Sequence, residues 1–326
     1  MNALSRRTLL QAGAALGAWP LLANAQSPAW PDKPVRLVVP FPPGGTTDFV
    51  TRLVGTELTK ALGQPVIVDN KPGAGTVIGV DFVAKSTPDG GHFVTVANSF
   101  CANATLVKKL PYDTLKDLRP VALMGMSEHV LATHPGSGLK TLDDLRAAAK
   151  AKPGGLSYAS FGNGTSAHLS GALLAQQMGL DLVHVPYKGQ GPALTDLLGG
   201  QVTVMFGNWP EFRGHVQSGK LVALGMATKQ RSAFAPDIPT LAEQGVPIES
   251  NSWNGLLAPA ATPDAVVQRM NAAANQALAA PAVKEAFAKG GIASLSGTPA
   301  QFADFIKSEI AKYAEVIRKG NISLEG

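Results

Sequence analysis

Short β-branched and apolar runs alternate along this chain with stretches of helical periodicity, and the first such pair is the most informative. Val35, Leu37, Val38 and Val39 form a run suited to a strand buried on both faces, which Pro40, Pro42 and Pro43 cannot extend as a ladder. Gly44 and Gly45 then permit positive φ and expose backbone N–H groups. Thr46 or Thr47 can cap the helix that follows, and Asp48 sits in its first turn before Phe49-Val50-Thr51-Arg52-Leu53-Val54. Further strand-like runs lie at 66–68, 93–96, 130–132, 156–159, 182–185, 202–206 and 221–224, several of them separated by amphipathic helices. This alternation predicts an α/β fold with a parallel-rich sheet.

Other punctuation supports the same reading. Thr141-Leu142-Asp143-Asp144 heads a helix in the manner of a capping box, and Lys150, Lys152, Pro153 and Gly154 end it. From Pro263 to Lys319 the chain is mostly helical, broken near Pro281 and between Gly290 and Pro299. Phe302, Phe305, Ile306, Ile310, Tyr313 and Ile317 recur at helical spacing, so this last helix needs a surface to cover. A chain that leaves one lobe near Met126, builds a second and returns near Trp253 would lay it back on the first. No repeat or low-complexity linker interrupts the pattern.

The N-terminus changes the compartment. Residues 1–25 read as an export signal: Ser5-Arg6-Arg7-Thr8-Leu9-Leu10, an Ala/Gly/Leu-rich stretch, and Ala23-Asn24-Ala25, with cleavage expected before Gln26. Gln11 stands where a twin-arginine motif usually has lysine, which leaves the export route open. No cysteine follows the cleavage site to carry a lipid, so the mature chain is expected free in the periplasm. Cys101 is the only cysteine, so the fold rests on its core rather than on disulfides. The formal charge of +5 falls to +3 once Arg6 and Arg7 are removed, which is no footprint for nucleic acid.

Two loops carry candidate chemistry. The first, through Gly45, Thr46 and Thr47, presents a helix N-terminus suited to an anion. It contains neither a G-x-G-x-x-G dinucleotide fingerprint nor the lysine of a nucleotide P-loop, and a plain βα turn is the alternative. In the second, Gly162, Gly164, Thr165 and Ser166 lead into His168-Leu169-Ser170, bringing free N–H groups and two hydroxyls to one spot. Opposed helix N-termini would suit a ligand with carboxylates at both ends. Tyr187 offers a ring wall, and Lys188 either a countercharge or a surface lysine; Ser99 and Asn208 lie just after strands, where open α/β sheets bind ligands. His92, His129, His134, His168, His184 and His215 show no metal-ligand spacing, and Asn163-Gly164-Thr165-Ser166-Ala167 is not a hydrolase elbow. Neither a metal nor a cofactor nor catalysis is expected.

Together these pieces resemble the periplasmic substrate-binding proteins of tripartite tricarboxylate transporters, the Bug family. The resemblance covers nearly all of the mature chain: Trp30-Pro31-Asp32-Lys33-Pro34, Pro40-Phe41-Pro42-Pro43-Gly44-Gly45-Thr46-Thr47-Asp48, Val68-Asp69-Asn70-Lys71-Pro72-Gly73-Ala74-Gly75, Ser160-Phe161-Gly162-Asn163-Gly164-Thr165-Ser166, Val185-Pro186-Tyr187-Lys188-Gly189, Pro239-Thr240-Leu241-Ala242-Glu243-Gln244-Gly245 and Trp253-Asn254-Gly255-Leu256-Leu257-Ala258-Pro259 follow in order. It implies a type II periplasmic binding fold, two α/β lobes around a central cleft with two inter-lobe crossovers. We place lobe one at 26–127 plus 254–326 and lobe two at 128–253. It also implies that the first loop, here Phe41, Gly45, Thr46, Thr47 and Asp48, holds a carboxylate, partly through ordered water. The expected ligand is a di- or tricarboxylate, an acidic amino acid or an aromatic carboxylate; the expected partners are the transporter's membrane components or, alternatively, a membrane sensor kinase. The protein is expected to be monomeric. Phe206-Gly207-Asn208-Trp209 departs from the family pattern: the Trp209 ring would either face the cleft and favour an aromatic acid or pack on the next helix. Trp253 is a further candidate wall.

Overall fold

The computed structural model describes residues 30–323, so the export signal and its cleavage site lie outside the described residues. Strands β1 (Val35–Val39), β2 (Val66–Asn70) and β3 (His92–Val96) run parallel, linked by α1 (Thr46–Leu62) and α2 (Val77–Ala84). α3 (Asn98–Leu106) starts almost directly after β3. β4 (Leu118–Thr133) then spans both halves of the molecule. Its first part pairs antiparallel with β9 (Asn251–Pro259), and its last residues lie between β7 (Val204–Asn208) and β8 (Val222–Met226).

The second half continues with α4 (Leu142–Ala151), β5 (Leu156–Ser160), α5 (Ser166–Met178), β6 (Leu182–Pro186) and α6 (Gln190–Leu198), then β7, α7 (Trp209–Gln217) and β8; β5 is parallel to both β6 and β7. The chain returns beside its outward crossing. His129 N–H donates to Ser250 O (3.3 Å), and Ser250 N–H to Ala227 O (2.9 Å). β9 then rejoins the first half between β3 and β4. Helices α8 (Asp264–Ala279), α9 (Pro281–Gly290) and α10 (Pro299–Lys319) follow, with the short β10 (Ile292–Ser294) paired to β4 between the last two. The sheet is therefore mixed. Each half keeps a parallel set, and the antiparallel pairs gather where the halves join.

Apolar side chains make one cluster in the second half and two in the first, one on each face of its sheet. Val50, Val54 and Leu58 of α1 pack with Val267, Met270 and Ala274 of α8 and Phe287 of α9. On the opposite face, Val80, Phe100, Phe302, Ile306 and Tyr313 join α2, α3 and α10. The capping box at Thr141 forms as the sequence suggests, and Thr298 with Gln301 forms another at the start of α10. The strand read at 130–132 begins at Leu118. Pro120 and Gly125 obscure its alternation, and the register against β9 shifts at both places. Trp253 is fully buried in the first half, edge-on to Phe302 and Phe305, with its indole N–H donated to Glu309 Oε2 (2.9 Å). It packs the last helix and does not wall the cleft.

Candidate functional site

Five helices, α1, α3, α5, α6 and α7, begin at the carboxyl ends of β1, β3, β5, β6 and β7, and their first residues or, for α7, its N-cap line one chamber between the halves. The first half contributes Gly45, Thr46, Thr47, Asn98 and Ser99; the second contributes Thr165, Ser166, Gln190, Gly191 and the α7 N-cap Asn208. Phe41 and Phe161 supply apolar walls. No ionisable side chain is part of this lining. Attraction for an anion must come from helix ends and hydroxyls.

Local sequence explains each wall. Gly44 at φ +91° turns the chain out of β1, and Gly45 is the extended N-cap of α1. Thr47 Oγ1 accepts from Asn254 Nδ2 (2.9 Å), which leaves the hydroxyl proton free to donate. The Ser99 hydroxyl pairs with Thr76 Oγ1 (3.1 Å). In the second half, Thr165 Oγ1 donates to Gly162 O (2.6 Å), and Gly164 N–H donates to His168 Nδ1 (3.2 Å). His168 stacks on His184 at 4.1 Å between centroids; burial pushes the two imidazoles down to about 4 and about 3, so this stack is neutral. Burial likewise pushes His129 down to about 3. It links Ser250 (2.7 Å) and, more loosely, Ser166 (3.4 Å) where the chain crosses between halves.

The chamber opens to an outer vestibule lined by Phe41, residues 72–76, Gly162, Tyr187 and Lys188. There the halves touch: a Cβ at Gly189 would lie 3.3 Å from the Pro42 ring, and one at Gly75 3.1 Å from Asn163 O. Gly164 is turned to Asn103 of the first half, 2.8 Å from where its own Cβ would be, so it shapes the inter-half contact and not the chamber wall.

Asp48, named with the first loop, is not on the wall either. Its carboxylate accepts from Gly44 N–H (3.0 Å), Arg52 Nε (3.0 Å) and Asn70 Nδ2 (2.9 Å). Burial alone would raise its pKa, but Arg52, Gly44 and Asn70 together outweigh it and hold the group below its usual value. It braces the loop from behind. Tyr187 donates to Asp196 Oδ2 (2.6 Å) at the vestibule rim. Trp209 is buried and faces away from the chamber, against the turn at Gly291.

A family model described as "Tripartite tricarboxylate transporter family receptor" matches residues 50–322. The chain belongs to this family. Its receptors are periplasmic solute-binding proteins, and three solved relatives share the fold. Periplasmic binding protein BugD is 31% identical, with TM-score 0.86 over 90% of this chain and 99% of that one. MatC from Rhodopseudomonas palustris, with bound malate, is 32% identical, with TM-score 0.84 over 88% and 100%. The R. palustris protein Rpa4515, with adipate, is 31% identical, with TM-score 0.86 over 90% and 99%. Among the described residues no helix is long and apolar enough to cross a membrane, and no group of three His, Cys, Asp or Glu side chains is placed to hold a metal ion.

Two participants at this receptor's cleft escape sequence reading. Gln190 follows Tyr187-Lys188-Gly189 at the end of β6, and the glycine before a helix start was the available signal. Its Oε1 accepts from Asn208 N–H (3.1 Å), while its Nε2 is buried without a partner. Glu211 sits in the first turn of α7, where an acid reads as complementing its own helix dipole. It instead caps α1.

Proposed function

We propose that this receptor captures a small carboxylate between two lobes, 26–127 plus 254–326 and 128–253, in the periplasm and presents it to the membrane components of a tripartite tricarboxylate-type secondary transporter. The observation that carries the proposal is the convergence of five helix N-termini on one chamber without an ionisable lining side chain. That arrangement binds anions and has no nucleophile and base poised for chemistry, so the role is capture and not catalysis. Malate in MatC and adipate in Rpa4515 support the ligand class. Gly45, Thr46, Thr47, Ser99, Thr165, Ser166 and Asn208 would contact the ligand, with Phe41 as a wall. Gly162 and Tyr187 would line its path inward, and Asp48 and Gly164 would act through loop shape.

The energies suffice without a strong single contact. Micromolar binding needs about −8 kcal/mol, against roughly 0.3 to 2 kcal/mol per helix end and about 1.5 to 3 kcal/mol per charged hydrogen bond. The test is a thermal-shift screen of residues 26–326 with di- and tricarboxylates, acidic amino acids, aromatic carboxylates and matched amides. A ligand at 100 times its dissociation constant adds about 2.7 kcal/mol. A shift with one acid class and none with its full amide supports the reading. No shift with any acid, from a preparation that releases no small molecule on denaturation, sinks it.

A further inference from the structure

The first loop already holds a carboxyl group of the protein. Glu211 reaches across from α7 to α1, and its Oε1 accepts both Thr46 N–H (2.5 Å) and the Thr46 hydroxyl (2.8 Å). Oε2 is buried with no partner, although the residue as a whole is half-buried. The Thr46 donors that an incoming carboxylate would use at this helix end are therefore taken by the carboxyl group of Glu211. Asn208 Nδ2 also donates to Thr46 Oγ1 (3.1 Å), so that hydroxyl is engaged as both donor and acceptor. On the second half's side of the wall the balance is reversed. Gln190, the first residue of α6 and more than nine-tenths buried, holds its Oε1 on the Asn208 N–H and offers an unpartnered Nε2 in the chamber lining.

We infer that Glu211 selects ligand charge: the receptor takes an acid whose ionised carboxylate lies at α5 and α6 and whose opposite end, at Thr46 with Glu211 held on that residue's donors, is uncharged. A dianion is accepted only with one proton from solvent, carried on Glu211 or on the ligand's second carboxyl, because two ionised carboxylates at one helix end repel. This deepens the carboxylate-capture reading and rests on it.

No neighbouring charge relieves Glu211. On α1, Asp48 and Arg52 pair with each other. On its own helix, Arg213 donates to Lys289 O, and His215 carries the last turn. On α9, Lys289 pairs with Glu285, and Lys284 lies one turn from the helix start. On β4, His129 is buried and neutral, Glu128 accepts from Ser232, and Arg119 pairs with Asp264. Burial pushes Glu211 up to about 7, against the opposing pull of the two Thr46 donors. The switch therefore falls near neutral pH.

Calorimetry on residues 26–326 and on Glu211→Gln, with malate and adipate and the monoamide of each, at pH 6.5 and 8.5 in two buffers of different ionisation enthalpy, tests this. The inference expects the wild-type affinity for the diacids to fall about tenfold between the two pH values. It also expects about one proton absorbed per diacid bound at the higher pH. The monoamides should change less than about twofold, and Glu211→Gln should bind diacids more tightly at pH 8.5 with no proton absorbed. Diacid binding that is flat with pH and takes up no proton in the wild type overturns the inference and leaves carboxylate capture standing, whether or not the variant folds. Failure of every acid and monoamide to bind either protein overturns both.

Discussion

Two acids hold the same loop from opposite sides and live under opposite electrostatics. Asp48, in the first turn of α1, faces away from the chamber and meets a cation, a backbone N–H and an amide, so its charge is compensated within its own half. Glu211 arrives from the other half, meets only the two Thr46 donors and keeps one oxygen unpartnered. Asp48 is lowered in pKa and Glu211 raised, although both are acids at one helix entrance. A helix end by itself does not set protonation. The count of donors and the presence of a cation decide whether desolvation is overcome.

Removing the compensated acid should do the most damage. Asp48→Ala strips three partners and leaves Gly44 N–H without its acceptor, and should cost about 3 kcal/mol in urea unfolding; a loss below about 1 kcal/mol would mean the loop is braced elsewhere.

The pH response sharpens the contrast because the signs differ. Glu211 has its folded value raised from 4.5 to about 7. Its contribution is fully present below the unfolded value and is lost as pH rises through the folded one, a decline of about 3 kcal/mol. Asp48 does the reverse: its contribution is present above 3.8 and is lost as pH falls through its lowered value. Ligand-free wild type minus Glu211→Gln, followed by denaturant unfolding from pH 4 to 8.5, should show the first slope, and a difference that does not change with pH would refute it.

Thr46→Val keeps the backbone donor to Glu211 and deletes the hydroxyl shared by Glu211 and Asn208. The expected cost is about 1 to 2 kcal/mol. Part of it should vanish when Glu211→Gln is already present, since the two groups interact. Additive losses in that double-mutant cycle would show that the contact carries no coupling. The smallest effect is expected at Trp209→Phe. The ring packs toward Gly291, away from the chamber, so the ratio of aromatic to aliphatic acid affinities should change less than about twofold. A larger change would place the ring at the ligand.

Much of the fold is legible residue by residue. The proline stop after Val39, Gly44 at positive φ and the Thr141 capping box act within a few residues, so sequence spacing reports them directly. The crossing strand is less legible. Between Pro120 and His129 it must change partners from β9 to β7 and β8, and polar Ser127, Glu128 and His129 serve that junction and not one apolar face. Trp209 and Trp253 show the same limit: each follows or opens a segment near the cleft, yet each ring packs into a neighbouring core or turn.

By itself the sequence determined where helices begin: β1 ending in prolines before Gly44-Gly45, and Gly162 to Ser166 entering α5. Capping and turn chemistry are local, fixed by side chains within one helical turn. What only the tertiary structure decided is which of these helix ends stays open to a ligand. Glu211 lies 165 residues from Thr46 in the chain, and the two meet because β4 and β9 carry the backbone across between halves and set α7 against α1. The protonation of that contact depends on how completely folding removes water and cations from around one carboxyl, a property of the packed neighbourhood and not of any residue's place in the sequence.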